Sequence, residues 1–202
     1  MWGSAYASSS TNIKTVRYTL PQAAGASLAI SDGTTYDYSA IAVNGTSDHT
    51  FTITNSGTAD ATNVGASGFP LLLGPYTFKG GSFPGTGGTC TSTLSSNSGS
   101  NTCTVVVTFA PTAATTYKSA LAINYLDGAV SKWTTRPVQG TGANFYTIGG
   151  SVTGLGSGKS VVINVTANSA TEQVTVSSNT TFTSAAIANG SAYTVTIGTQ
   201  PT

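Results

Sequence analysis

The chain has 202 residues, a net charge of +1 and only 6% charged residues. So neutral a balance leaves no electrostatic footprint for nucleic acid or an anionic membrane, and no apolar run approaches the roughly 20 residues of a membrane helix. Polarity comes instead from 37 Thr and 26 Ser beside 24 Gly, interleaved with Val, Ile, Phe and Tyr in a way that argues against disorder and suits pleated sheet.

Residues 1–25 read as an N-terminal segment, a tag-like remnant over Met1 to Ser4 and then a lead-in strand. Met1 to Ala7 offer no basic region and no apolar core, so export would require a signal already removed. Strand signals then recur to the end. Ser27-Leu28-Ala29-Ile30 runs into the turn pair Asp32-Gly33, and Tyr36 to Val43 runs into Asn44-Gly45. His49 to Thr54 alternates, with Phe51 and Ile53 on one face, and Asn55-Ser56-Gly57-Thr58 closes it. Thr104 to Phe109 repeats the pattern, Val105, Val107 and Phe109 inward and Thr104, Val106 and Thr108 opposite, until Pro111 stops it. Tyr117, Leu121, Ile123 and Tyr125 line one face of the next strand. Asp127-Gly128 is a two-residue hairpin signal, and the return strand runs from Ala129 to about Gln139. No segment combines a 3.6-residue period with helix caps.

Gly140-Thr141-Gly142-Ala143-Asn144 is small and polar, and reads as a flexible boundary closing a seven-strand set. A shorter module follows: Ile148 and Val152, then Val161, Ile163 and Val165 alternating with Val162, Asn164 and Thr166. Val174 and Val176, Phe182, and Tyr193, Val195 and Ile197 supply further strands. The expected division is therefore 26–142 for a β-sandwich with one disulfide and 145–202 for a small β-sandwich repeat. The second core is thin, and no closing element follows Thr199-Gln200-Pro201-Thr202, so this module reads as truncated.

Cys90 and Cys103 are the only cysteines. The natural reading is one disulfide pinning a glycine-rich loop to a sandwich strand, which points to an oxidising, extracytoplasmic compartment. That loop, Gly80-Gly81 with Pro84-Gly85-Thr86-Gly87-Gly88, lacks the GK[ST] and the following helix of a phosphate cradle. Its glycines serve positive φ instead. Phe69, Leu72, Tyr76, Phe78 and Phe83 crowd the same region, with Leu71 and Leu73. They form either a hydrophobic cap beneath the loop or an exposed adhesive patch, and the rarity of exposed apolar patches favours the cap.

Catalytic chemistry finds little to stand on. His49 is the single histidine and reads as an ordinary strand-edge residue, with no triad or zinc spacing around it. The six acids lie mostly beside turns, and Asp32 and Asp127 precede Gly, where an Asx side chain caps a turn. No DxDxD run suggests calcium. No enzyme, no metal and no cofactor are expected.

Residues 26–142 resemble a bacterial surface immunoglobulin-like domain of the ASPM/Hydin type, common in "choice-of-anchor D" proteins. Tyr36-Asp37-Tyr38, Phe51-Thr52-Ile53-Thr54-Asn55-Ser56-Gly57, the stretch from Pro84 to Cys90, Cys103 to Thr112, Asn124 to Gly128 and Arg136-Pro137-Val138 carry the resemblance. The second module, from Tyr146-Thr147-Ile148-Gly149-Gly150 to Tyr193-Thr194-Val195-Thr196, is similar to a short repeat in long surface proteins of bacteria, predatory deltaproteobacteria among them. There the motif after Gln-Pro usually continues to another cysteine, which this chain lacks. The resemblance implies an all-β chain, an immunoglobulin-like sandwich followed by a smaller one, and a modular architecture, often adhesive or fibrous. The expected role is a non-catalytic structural or adhesive module of an exported cell-surface or fibre protein. Its partners would be neighbouring domains and copies of itself. The alternative is a binding module that holds a glycan or a host or prey surface protein on loop 68–89.

Overall fold

The computed structural model describes residues 25–66 and 72–201. The tag-like remnant, the lead-in strand up to residue 24, Phe69 and Leu71 lie outside the described residues. Every regular element among the described residues is a strand. The first nine are β1 (Leu28–Ile30), β2 (Tyr36–Ala42), β3 (Ser47–Asn55), β4 (Ala61–Gly65), β5 (Tyr76–Phe78), β6 (Thr93–Leu94), β7 (Thr102–Phe109), β8 (Thr116–Asp127) and β9 (Val130–Ala143). They form two sheets, β1-β3-β7-β5 and β2-β9-β8-β4-β6. The β2–β9 pair is parallel and the other pairs are antiparallel.

Alternation dictates which face each strand buries. Phe51 and Ile53 of β3, Val105, Val107 and Phe109 of β7, and Leu121 and Ile123 of β8 are wholly buried between the sheets. Aromatic rings tie the layers together: Phe109 lies 4.8 Å from Tyr76, 5.5 Å from Tyr38 and 6.0 Å from Tyr117. Burial pushes the Tyr38 phenol up; its hydroxyl donates to the Val107 carbonyl at 3.0 Å. Asn55, at the end of β3, is a buried polar side chain with every bond made. Its Nδ2 donates to Ala59 O (2.9 Å) and Leu94 O (3.1 Å), and its Oδ1 accepts from the N–H groups of Ser27 and Gly57. This asparagine organises the turn that follows it.

The structure departs from the sequence reading in three places. Among the described residues the first sandwich has nine strands, because short β5 and β6 carry too little alternation to register. Val106 is buried like its neighbours, since the chain after β5 folds against the edge of β7. The stretch read as a flexible boundary is strand: β9 continues to Ala143, bonded to β8 and β2. Its glycines serve close packing. A Cβ on Gly140 would sit 2.7 Å from the Phe109 ring, and one on Gly142 would sit 2.1 Å from the Ala113 carbonyl.

Seven shorter strands follow: β10 (Phe145–Tyr146), β11 (Gly149–Val152), β12 (Val161–Ala167), β13 (Ala170–Val176), β14 (Thr180–Thr183), β15 (Ile187–Ala188) and β16 (Tyr193–Thr199). β13-β12-β16 form one sheet, and the ribbon β11-β14 faces it, prolonged by the pair β10-β15. Val161, Ile163, Val165 and Val176 make the small core, with Ile148, Val152, Val174 and Phe182 half-buried against it.

Candidate functional site

The disulfide between Cys90 and Cys103 forms, with a Cα–Cα distance of 4.8 Å and a sequence separation of 13. Around it the glycine-rich loop runs along the edge of β7. Lys79 N–H donates to Val106 O, Val106 N–H to Pro84 O, and both Thr89 and Cys90 N–H groups to Thr104 O. Gly85, at φ +89°, lies so close that a Cβ there would stand 2.3 Å from the Val106 carbonyl. The loop is a bonded edge element.

The aromatics of this region face inward. Tyr76 is core: it stacks on Phe109, its hydroxyl donates to Tyr117 O at 3.1 Å, and burial pushes its pKa up to about 12. Phe78 and Phe83 are half-buried and meet edge to face at 5.7 Å, and Leu72 packs against the same core. Leu72, Tyr76, Phe78 and Phe83 thus meet as a cap over the sandwich, whereas Leu73 is 63% exposed.

His49 joins the two sheets. Its ring stacks on Tyr36 at 3.7 Å and its Nε2 lies 3.1 Å from Asp32 Oδ2. Partial burial pushes Asp32 up, but hydrogen bonds from Ser31 and His49, with the charges of His49 and Arg136, outweigh it and hold the carboxyl below its usual range. Here the carboxylate sits between a hydroxyl and an imidazole, so the imidazole is not placed to take a proton from the serine. Asp48 pairs with Lys79 at 2.8 Å across strands, and Asp127 with Lys132 across the β8–β9 hairpin. Among the described residues no three His, Cys, Asp or Glu stand close enough to hold a metal.

Two open surfaces escape sequence reading. On β16, Tyr193, Val195 and Ile197 are 52%, 43% and 52% exposed. Yet they pair with Ala167, Val165 and Ile163 of β12 and so share the core face of that sheet. The facing ribbon does not extend over them. What remains is a groove of about 420 Å³ with Val161 and Ile163 at its floor, walled by Val152, Leu155 and Phe182 on one side and Val195 and Ile197 on the other. The second surface surrounds Trp133, which is 66% exposed on the outer face of β9.

No protein-family model matches the chain, and no curated protein matches it. Among solved structures, the ASH/PapD-like domain 7 of human CEP192 superposes with a TM-score of 0.42 at 14% identity, over 66% of this chain and 97% of that one. The VesB protease of Vibrio cholerae gives a TM-score of 0.42 at 17% identity over 56% of this chain, which spans only 31% of the protease structure. The secreted serine protease VesC of the same organism gives 0.33 at 12% identity, over 80% of this chain and 44% of that one.

Proposed function

We propose that the chain is a non-catalytic structural unit of an exported cell-surface or fibre protein, built to stand in a row of units joined by strand exchange. The observation that supports this most is the groove beside β16. The outer backbone edge of β16 carries no partner among the described residues, and its apolar side chains stand half in water. Such a site takes an extended strand: main-chain bonds supply affinity, and alternate side chains fill the groove. The disulfide supports an oxidising, extracellular setting.

The occupant we assign is a segment ahead of the first sandwich of a neighbouring copy. Val16, Tyr18 and Leu20 alternate there with Arg17 and Thr19, a pattern matched to the groove. Ala26 N–H bonds Asp127 at the β8–β9 hairpin, 2.8 Å away, whereas Ala143 lies at the other end of β9. A strand of that length spans about 45 Å, and the five residues from Leu20 to Gly25 reach only about 17 Å. Its own second sandwich begins far beyond that reach, so exchange would run between copies, head to tail, as an open series.

Sedimentation velocity over a range of concentrations tests this. The full chain should associate progressively, a chain beginning at Ala23 should remain monomeric, and a peptide of residues 12–22 should bind the shortened chain. A full chain that stays monomeric, with no peptide binding, would overturn the reading.

A further inference from the structure

We infer that the outer face of the β4–β8–β9 sheet holds a carbohydrate site, with Trp133 as the stacking platform and the amides of Asn63 and Asn124 as its hydrogen-bonding groups. This face lies on the first sandwich and shares no lining residue with the β16 groove. Two independent observations carry it.

The first is a bulge. Thr62 of β4 pairs with Leu126 and Gly65 with Asn124, so three steps along β4 answer two along β8. The extra residue lets Val64 stay buried in the core while Asn63 turns to solvent, at φ +50°. With Ala61 buried, strict alternation would turn Asn63 inward and Val64 outward, and the insertion reverses both. Its consequence is an amide beside Asn124 on the solvent side of the sheet.

The second is Trp133, directly opposite Asn124 in the ladder. Tryptophan is highly buried on average, yet this indole stands in water. Asn63, Asn124, Ser131 and Trp133 line one open depression of about 330 Å³. Neither asparagine side chain bonds another described residue. The Lys132 ammonium is already committed to Asp127, so the site offers no unpaired charge. Leu126 is the one large aliphatic residue in the lining, too little for the apolar heart of a protein interface.

An exposed aromatic plane with neutral amides and a hydroxyl at its rim matches the two sides of a pyranose. The C–H face of the sugar lies on the indole, removing apolar surface from water. Neighbouring hydroxyls then take the carboxamides, each of which both donates and accepts. The ligand class is a neutral oligosaccharide, of which one or two rings sit in the depression.

The test follows the Trp133 indole N–H resonance of ¹⁵N-labelled chain, assigned by its loss in Trp133→Ala, during titration with cellobiose, lactose and chitobiose. At least one should give saturable shifts with a Kd on the order of 1 mM, the scale for one small, solvent-exposed ligand. Trp133→Phe should retain weakened binding. Asn63→Gly, which keeps the left-handed backbone, and Asn124→Ala should each weaken it by about 3–10-fold, the scale of one hydrogen bond. Saturation with none of the three sugars would overturn the assignment. So would unchanged affinity in both amide variants. A change in sedimentation of Trp133→Ala without any sugar response would make the face a protein contact and equally end the proposal. Strand exchange at β16 stands or falls separately, because the sugar titration does not read it.

Discussion

The two sandwiches use one alphabet of Thr, Ser, Gly and β-branched residues, and they end in different conditions. In the first, four strands lie over five, and Tyr38, Phe51, Tyr76 and Phe109 fill the space between. In the second, three strands face a two-stranded ribbon, and the largest wholly inward side chains are Val and Ile. A strand can satisfy the periodicity of a buried element and still lie open when the opposing layer is too narrow. β16 is that case: its alternation matches β3, but no sheet among the described residues covers it. The comparison teaches that closure depends on the width of both layers, whereas amphipathicity belongs to one strand.

The largest effect should separate the two cores. Phe109→Ala removes a ring packed against three tyrosines, and should cost the first sandwich about 3–5 kcal/mol. Differential scanning calorimetry should show one transition falling while a second stays. A single transition that moves as a whole would mean that the sandwiches melt together. Next in size is the disulfide. Replacing Cys90 and Cys103 by Ser should destabilise the first sandwich by roughly 3 kcal/mol in the chain-entropy account, read as a lower denaturant midpoint for that transition alone.

Alternation and turn chemistry made the principal strands of both sandwiches legible from the residues alone. Phe51 with Ile53, and Leu121 with Ile123, announced their burial, and Asp127-Gly128 announced its hairpin. The two cysteines announced their bond. What escaped depends on neighbours distant in sequence. Gly140 and Gly142 look like hinge residues until Phe109 and Pro111 are seen against them. Val106 looks outward until the glycine loop covers it. The bulge at Asn63 leaves no local mark, since asparagine in a polar run resembles any turn residue. Trp133 stands between Lys132 and Thr134, and nothing in that local sequence says whether its face is covered.

Gly140→Ala sharpens the difference between a hinge and a packed strand. A methyl directed into the Phe109 ring should cost about 1–3 kcal/mol, measured by urea unfolding, and limited proteolysis should leave 140–143 intact. A neutral substitution with cleavage there would restore the flexible boundary. Ile197→Ser should be smaller still, within about 0.5 kcal/mol for the monomer because half the side chain already meets water. The same change should abolish concentration-dependent association. A Ser variant that associates like the parent would remove the groove from the contact.

The smallest effect per group is electrostatic, and its sign is fixed by the first sandwich. Asp127 is held below its usual range by the hydrogen bond from Lys132 and then by the Ala26 N–H. Asp48 is held down by Lys79 and then Thr108, and Asp32 lies low once the bonds from Ser31 and His49 outweigh its partial burial. In the unfolded chain these carboxyls return to about 3.9. As pH falls the unfolded chain therefore binds protons first, and acid favours unfolding. The contribution is fully present above the unfolded value and is lost as pH drops through the lower folded values. The denaturant midpoint of the first transition should hold from pH 7 to about 5 and decline below 4. Asp127→Asn keeps an acceptor for Ala26 but cannot be charged, so its midpoint should start lower at pH 7 and the gap to the parent should narrow at pH 3. A gap that stays constant across that range would mean that the Asp127 charge contributes nothing, and that the hairpin grips the start of β1 through the neutral hydrogen bond alone.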